Sequence, residues 1–208
     1  MGWPVCPGAY PSGGLDGIGL SEPGRACSCD RVGCPAPGAH PASPTWQMQA
    51  TVDTEVIQQW WETRPEANVI IATGRVFDVL DVPALAGASA LARMASNDVE
   101  TGPVVVQGTE RMLFYVATRG APEDEDEWWS CGLDASPDMS TETGALRWHC
   151  RDSFVLAPPS RYGTGQDVRW VREPKALSSP GTAGAVNTQL PDALRLLEYL
   201  VDACEEEG

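Results

Sequence analysis

The stretch Cys27-Ser-Cys29-Asp-Arg-Val-Gly-Cys34-Pro-Ala-Pro-Gly-Ala-His40-Pro41 decides how the N-terminal part of this chain can fold. It holds three thiols and one of the two histidines of the chain, in a segment too rich in glycine and proline to fold by burial. Four soft or borderline ligands at this short spacing can close a tetrahedral Zn²⁺ site. Cys27, Cys29, Cys34 and His40 are therefore the candidate ligands of a structural zinc ion.

The surrounding segment is a long loop over residues 7–45, which a compact domain accommodates only when something ties it down. A metal ion would be that tie. The Cys-x-Cys start is tighter than the spacing of most zinc sites, and the alternative is a loop of free thiols. Cys6 is a further candidate, which would replace one ligand if the loop folds back.

Length and composition indicate a globular protein of 208 residues, with 42% hydrophobic residues and a net charge of −15. A body this acidic repels phosphate backbones, so avid nonspecific binding of nucleic acid is not expected unless the charge is segregated. No apolar run is long enough to span a membrane, and no signal peptide is visible. Seven cysteines, four of them isolated, indicate a cytoplasmic protein with reduced thiols.

The hydrophobic pattern predicts an α+β fold, with short strands and helices packed on one side of them. Asp53 is predicted to cap a helix over residues 54–63 whose apolar stripe is buried. Pro83 and Pro191 are predicted to begin two further helices. The predicted strands cover residues 3–6, 68–74, 76–81, 103–107, 111–116, 146–149, 154–157 and 168–170. We expect one domain over residues 1–173, a linker over 174–189, and a helix over 190–205 that packs on the domain.

Several segments occur in an order that is typical of one family. They are Trp3-Pro-Val, Pro37-Gly-Ala-His40-Pro41, Trp46-Gln47, Trp60-Trp61, the strand from Asn68 to Gly74, and the turn Ala157-Pro-Pro-Ser160. Together they resemble the N-terminal domain of bifunctional DNA primase/polymerases, the Prim-Pol domain of the archaeo-eukaryotic primase superfamily. The resemblance covers roughly residues 3–172. It implies an RRM-like mixed sheet with helices packed on it, built around a nucleotidyl-transfer site.

The resemblance also implies a strand with an Asp-x-Asp pair, since alternate strand residues share a face and two carboxylates can then bind Mg²⁺ or Mn²⁺. The corresponding stretch reads Leu80-Asp81-Val82-Pro83. Asp81 stands at the first acid, but Pro83 stands at the second and has no ligand atom. Asp78 is three residues away and should lie on the opposite face. An alternative role for Asp81 is to cap the helix that begins at Pro83.

Two further elements implied by the resemblance are incomplete. The Ser-x-His-like step that binds phosphates falls at Arg111-Met112-Leu113, where no histidine is present. Asp152 is the only candidate for the third acid, and it lies closer to the Pro-Pro-Ser turn than the pattern expects. The candidate nucleotide- or phosphate-binding residues are Thr73, Gly74, Arg151, Ser160 and Arg161; for the arginines, an ordinary surface role is the alternative.

Three functions follow as expectations. The preferred one is a catalytically degenerate primase/polymerase-like protein that binds a nucleotide, single-stranded DNA or a protein of DNA replication. The second is an active template-directed primase/polymerase in which Asp81, Asp152 and a further acid hold Mg²⁺ or Mn²⁺. The third is a structural, zinc-stabilised interaction protein. No fused helicase is expected, because its phosphate-binding loop needs Gly-Lys and the only lysine, Lys175, follows Glu-Pro.

Overall fold

The computed structural model describes residues 2–12, 26–29, 31–118, 146–163, 166–175 and 190–207. Most of the predicted linker over 174–189, and residues 13–25 of the predicted loop, lie outside these ranges. The described part contains four helices and eleven strands, which confirms the α+β class. The chain divides into two compact units. Unit 1 comprises Met1–Gly2, Thr73–Val155 and Trp170–Gly208, and unit 2 comprises Trp3–Ala72 and Leu156–Arg169.

Unit 1 is built on an antiparallel sheet in which β5 (Phe77–Pro83) is the strand next to one edge. On one side β5 pairs with β7 (Arg111–Ala117), and on the other side it pairs with β8 (Arg147–His149). The strand β6 (Val104–Gln107) pairs with β7 and forms the predicted hairpin. Beside β6 lies β11 (Gln166–Arg172), whose last three residues belong to this unit.

Two helices, α3 (Ala84–Ser96) and α4 (Ala193–Glu207), cover one face of this sheet. The core between sheet and helices contains Leu80, Val82, Ala86, Ala90, Met94, Val104, Met112, Phe114, Val116, Trp148, Leu196, Leu200 and Ala203. Because strand side chains alternate, Asp81 lies on the face of β5 opposite to Leu80 and Val82. None of the described helices is long and apolar enough to cross a membrane.

Unit 2 contains the metal-ligand candidates and a small sheet. Its strand β1 (Val5–Gly8) pairs antiparallel with β4 (Asn68–Ala72). The other elements are β2 (Pro11–Ser12) paired with β3 (Ala26–Cys27), α1 (Trp46–Gln49), α2 (Thr54–Thr63), the last two residues of β9 (Phe154–Ala157) beside β4, and β10 (Arg161–Tyr162) paired with the start of β11.

The helix α2 begins and ends where the sequence predicts. The Asp53 carboxylate accepts hydrogen bonds from the backbone N–H groups of Glu55 (2.9 Å) and Val56 (3.4 Å), which confirms the cap. The apolar stripe of α2 lies at the predicted residues, but it is less buried than predicted. Its members, Val56, Ile57, Trp60 and Trp61, are half-buried, while the remaining residues of the helix are exposed.

The predicted strands over 68–74 and 76–81 belong to different sheets. The first becomes β4 in unit 2, and the second becomes β5 in unit 1. Gly74 has φ +79°, and a Cβ at this position would lie 2.2 Å from Arg151 Cα. Only glycine fits both the backbone conformation and this close approach.

Candidate functional site

The four metal-ligand candidates of unit 2 come together. The Sγ atoms of Cys27, Cys29 and Cys34 and a ring nitrogen of His40 all lie within 4.8 Å of one another. His40 Nε2 is 3.4 Å from Cys27 Sγ and 3.5 Å from Cys34 Sγ. In a tetrahedral zinc site, bond lengths near 2.0–2.3 Å place neighbouring ligand atoms about 3.5–3.8 Å apart. The four residues therefore fit a closed tetrahedral metal site.

The imidazole of His40 is oriented for such a site. Its Nδ1 lies 2.8 Å from the Pro41 carbonyl oxygen. Because a carbonyl oxygen only accepts, Nδ1 carries the proton and the lone pair of Nε2 faces the thiols. Cys27 Sγ also accepts a buried hydrogen bond from the Gly38 N–H at 3.4 Å. These outer contacts fix the direction of two ligand atoms before any metal binds.

The thiols of the cluster influence one another. Burial opposes ionisation of Cys29, but the Arg31 backbone and hydrogen bonds from the other cluster residues outweigh it and lower the pKa of Cys29 to about 7. Burial, together with the neighbouring thiols, raises the pKa of Cys34 to about 11. Once one thiol has ionised, its negative charge opposes ionisation of a second, and a cation nearby would remove this opposition.

Cys6 does not belong to this group. It lies in β1 with 1% of its surface exposed, and burial raises the pKa of its thiol to about 12. Among the described residues, the cluster consists of the four ligands that the sequence predicts.

In unit 1, Asp81 forms the centre of a buried charged network. Arg111 Nε donates to Asp81 Oδ1 at 2.7 Å, and the same guanidinium donates through Nη2 to the Asp81 backbone carbonyl at 3.0 Å. His149 Nε2 donates to Asp81 Oδ2 at 3.2 Å. The other ring nitrogen, Nδ1, lies 3.0 Å from the Ser153 hydroxyl. Both carboxylate oxygens of Asp81 thus have a partner within the protein.

The network keeps Asp81 ionised. Burial alone would raise the pKa of Asp81, which is 5% exposed. Hydrogen bonding and charge from His149 and Arg111 outweigh this effect, so the pKa of Asp81 lies below its ordinary value of 3.8. A charge that is buried but paired in this way is stable as a carboxylate at neutral pH.

The strand register explains why these residues meet. Arg111 lies directly across from Pro83, and His149 lies across from Val79. Residues 79, 81 and 83 share one face of β5, so Arg111 and His149 approach Asp81 from both neighbouring strands. Asp78 lies on the other face as predicted, where its Oδ2 accepts a hydrogen bond from Trp148 Nε1 at 3.3 Å.

Sequence reasoning did not identify Arg111, His149 and Ser153 as partners of Asp81. His149 lies on β8, which is more than sixty positions from its neighbour β5 along the chain. The signal available in the sequence was the presence of Arg111 and His149 at the ends of two predicted strands. Nothing local indicated which strand lies next to which.

The other candidates of unit 1 lie at its turns. Asp152 follows β8 with φ +63° and is exposed, its carboxylate 3.8 Å from the Arg151 guanidinium. The Thr73 hydroxyl donates to the Cys150 carbonyl at 2.7 Å, and Gly74 packs on the Arg151 backbone. The roles suggested for these residues stay predictions.

The remaining two candidates, Ser160 and Arg161, belong to unit 2. The Ser160 hydroxyl accepts from the Val69 N–H at 2.9 Å. The exposed Arg161 side chain lies 3.3 Å from the Asp167 carboxylate. The proposed phosphate-binding set is therefore divided between the two units, and its role also stays a prediction.

Comparison with known proteins agrees with the family resemblance. The family model described as "Bifunctional DNA primase/polymerase, N-terminal" (Prim-Pol) matches residues 1–189. No curated protein sequence matches the chain.

Proposed function

The chain belongs to the Prim-Pol family, and we propose that it is a degenerate member, primase/polymerase-like in fold but without nucleotidyl transfer. On this proposal the protein acts as a binding module for a nucleotide, single-stranded DNA or a replication protein. The family match supports the primase/polymerase-like character. The loss of activity is inferred from the residues around Asp81.

One observation carries the proposal: the only acid at the family's Asp-x-Asp position is already neutralised from within the protein. Two-metal transfer needs carboxylates that hold two divalent ions, and these ions would bind the attacking hydroxyl and the triphosphate. Asp81 instead binds Arg111 at 2.7 Å and His149 at 3.2 Å, and Pro83 offers no second carboxylate. To bind Asp81, a metal ion would have to displace the buried guanidinium of Arg111. It would then have one carboxylate ligand instead of two.

In this arrangement Arg111 supplies the positive charge that a metal ion would supply in an active enzyme. Its guanidinium comes from the position opposite Pro83 and supplies a fixed positive charge beside Asp81. A guanidinium binds oxygen atoms only through its N–H donors and has no coordination positions, so it cannot hold the attacking hydroxyl and the triphosphate together as a divalent metal does. The network around Asp81 is, on this proposal, structural.

We further propose that the cluster of Cys27, Cys29, Cys34 and His40 holds Zn²⁺. Three thiolates and one imidazole at tetrahedral spacing are the donor set that zinc prefers. With four protein ligands and no open position, such an ion would stabilise the loop rather than activate water.

Primer synthesis and extension on single-stranded DNA test the loss of activity. The wild type, Asp81→Ala and the surface control Asp167→Ala are compared with Mg²⁺ or Mn²⁺ and all nucleotides, after circular dichroism shows each protein to be folded. We expect no product above the Asp81→Ala background. Product that is present in the wild type and in Asp167→Ala but absent in Asp81→Ala would overturn the proposal and make this an active polymerase.

Binding of a ligand is tested separately by thermal melting with added nucleoside triphosphates or single-stranded oligonucleotides. A ligand that binds only the native state raises the melting temperature. A concentration-dependent rise supports a nucleotide- or nucleic-acid-binding module. No rise with any of these ligands would reject both ligand classes and leave a replication protein as the proposed partner.

A further inference from the structure

We propose that Asn68, a buried residue of β4 with no metal-ligating role of its own, is a positioning residue of the metal centre. Its side-chain amide binds the Gly38 carbonyl, and the Gly38 N–H in turn donates to the Sγ atom of Cys27. The inference rests on the proposed binding of metal by the four-residue cluster. It adds a determinant of metal affinity that lies outside the ligand segment.

Both the nitrogen and the oxygen of the Asn68 side-chain amide form hydrogen bonds. Nδ2 donates to the Gly38 carbonyl at 2.8 Å and also to the Arg161 carbonyl. Oδ1 accepts from the Arg161 N–H at 3.0 Å. Because two carbonyls need a donor and one N–H needs an acceptor, the orientation of the amide is fixed. Asn68 is 5% exposed, so water does not compete with these bonds.

Gly38 connects this amide to the metal ligands. Its N–H donates to Cys27 Sγ at 3.4 Å, and both atoms of this bond are buried. Gly38 has φ +78°, and a Cβ there would lie 2.7 Å from Pro11 Cδ and 2.8 Å from the Arg161 carbonyl oxygen. Asn68 therefore fixes the carbonyl on one side of Gly38 while Cys27 engages the N–H on the other side.

The position of Gly38 in the chain makes this link specific to the metal centre. Gly38 lies between two ligands, four residues after Cys34 and two before His40. Backbone hydrogen bonds hold the flanks, from Ala9 N–H to the His40 carbonyl (2.9 Å) and from Gly163 N–H to the Pro37 carbonyl (2.8 Å). The Asn68 amide adds the side-chain contact that joins this segment to β4.

A hydrogen bond to a ligand atom, such as that from Gly38 N–H to Cys27 Sγ, orients the ligand, and its loss typically lowers metal affinity 10- to 100-fold. Asn68 acts on this bond through Gly38. A purely structural asparagine would affect unfolding but leave the affinity of the folded protein unchanged. The two roles are thus separated by measuring affinity rather than stability.

The test compares Asn68→Ala and Asn68→Asp with the wild type and with Asn97→Ala, a control at the C-terminal end of α3 in unit 1. As a carboxylate, Asp keeps the shape of Asn but cannot donate to the Gly38 carbonyl, so the affinities are measured above neutral pH. Zinc affinity is measured by competition with a chromophoric chelator. Saturating Co²⁺ reports through its absorption bands whether three thiolates and one imidazole still bind.

We expect both Asn68 variants to bind zinc about 10- to 100-fold more weakly, with the cobalt spectrum of the wild type at saturation and no change in Asn97→Ala. Affinities within twofold of the wild type would overturn the inference. Should one of the two Asn68 variants fail to fold, the other decides. If the wild type itself binds neither zinc nor cobalt, the proposed metal site is rejected instead, and the two failures are distinguishable.

Discussion

Asp81 and Arg111 form an ion pair whose side chains are only 7% and 10% exposed. Removing two charges from water costs several kcal/mol each, and their attraction compensates only when the geometry is good and the remaining polar atoms are bonded. Here Arg111 also donates to the Asp81 backbone carbonyl, and His149 donates to the second carboxylate oxygen of Asp81. The pair therefore matters for stability mainly because the removal of one partner would leave the other charge buried and unpaired.

We expect Arg111→Met to destabilise the protein by about 3–5 kcal/mol, because the Asp81 carboxylate stays buried but loses the guanidinium that pairs with it. Urea-induced unfolding at pH 7 measures the change. The control is Arg161→Met, which removes an exposed Arg–Asp pair and should cost at most about 1 kcal/mol. Equal effects of the two substitutions would contradict a buried, closed network around Asp81.

The low pKa of Asp81 makes its contribution to stability depend on pH. In the unfolded chain an aspartate titrates near ~3.9, and in the folded protein the pKa of Asp81 is lower. The unfolded state therefore binds the proton more readily, so the stabilisation is present above this range and is lost as the pH falls through the folded pKa.

The variant Asp81→Asn isolates this contribution from that of the other acidic residues. We expect the wild type to be more stable than the variant at pH 7, with the difference shrinking below a pH of about 4. Urea unfolding between pH 3 and pH 7 provides the two curves. Parallel curves over the whole range would mean that Asp81 does not titrate below its ordinary pKa.

At the scale of elements, α2 depends on its cap because none of its residues is buried. The Asp53 carboxylate satisfies two N–H groups that the first turn leaves without an intrahelical partner. Asp53→Ala should lower the free energy of unfolding by about 1 kcal/mol, whereas Asp53→Asn should retain most of it, since Asn caps equally well. Thermal unfolding of both variants checks this. A loss of equal size in Asp53→Asn would indicate that charge, not capping, matters here.

Local elements were predictable from the sequence, and their partners were not. The cap and stop of α2, the β6–β7 hairpin and the helix after Pro83 each depend on neighbouring residues. The assignment of β4 and β5 to different sheets depends on pairings with β1 and β7. The same division applies to the sites. Four metal ligands within residues 27–40 could be found by spacing, but the partners of Asp81 come from β7 and β8.

At the scale of the whole molecule, charge limits which partners the protein can hold. With a net charge of −15 it repels polyanions at long range, so any nucleic acid must bind through a local positive surface. Several arginines of the described residues already lie against a carboxylate, among them Arg93, Arg111, Arg151 and Arg161. If the protein is the binding module that we propose, we therefore expect it to bind a single nucleotide or a DNA end rather than a long duplex.

Metal removal tests whether the four-residue cluster supports the fold. A zinc ion that binds only the native state stabilises it by about 2.7 kcal/mol when free zinc is at a hundred times its Kd. A chelator under reducing conditions should therefore lower the melting temperature, and added zinc should restore it. Amide hydrogen exchange should rise in residues 34–42 and in β1, because the His40 carbonyl accepts from the Ala9 N–H and the Ala42 N–H donates to the Pro7 carbonyl.

Two cysteine variants make this prediction specific. Cys34→Ser removes one ligand and should lose the bound zinc, as measured by metal analysis of the purified protein, together with the response to chelator. Cys150→Ser changes a half-buried thiol of unit 1 and should retain one zinc per chain. If Cys34→Ser kept the full zinc content and melting temperature of the wild type, the thiols of residues 27–34 would be free. The loop would then be held only by hydrogen bonds such as those of Asn68 and Ala9.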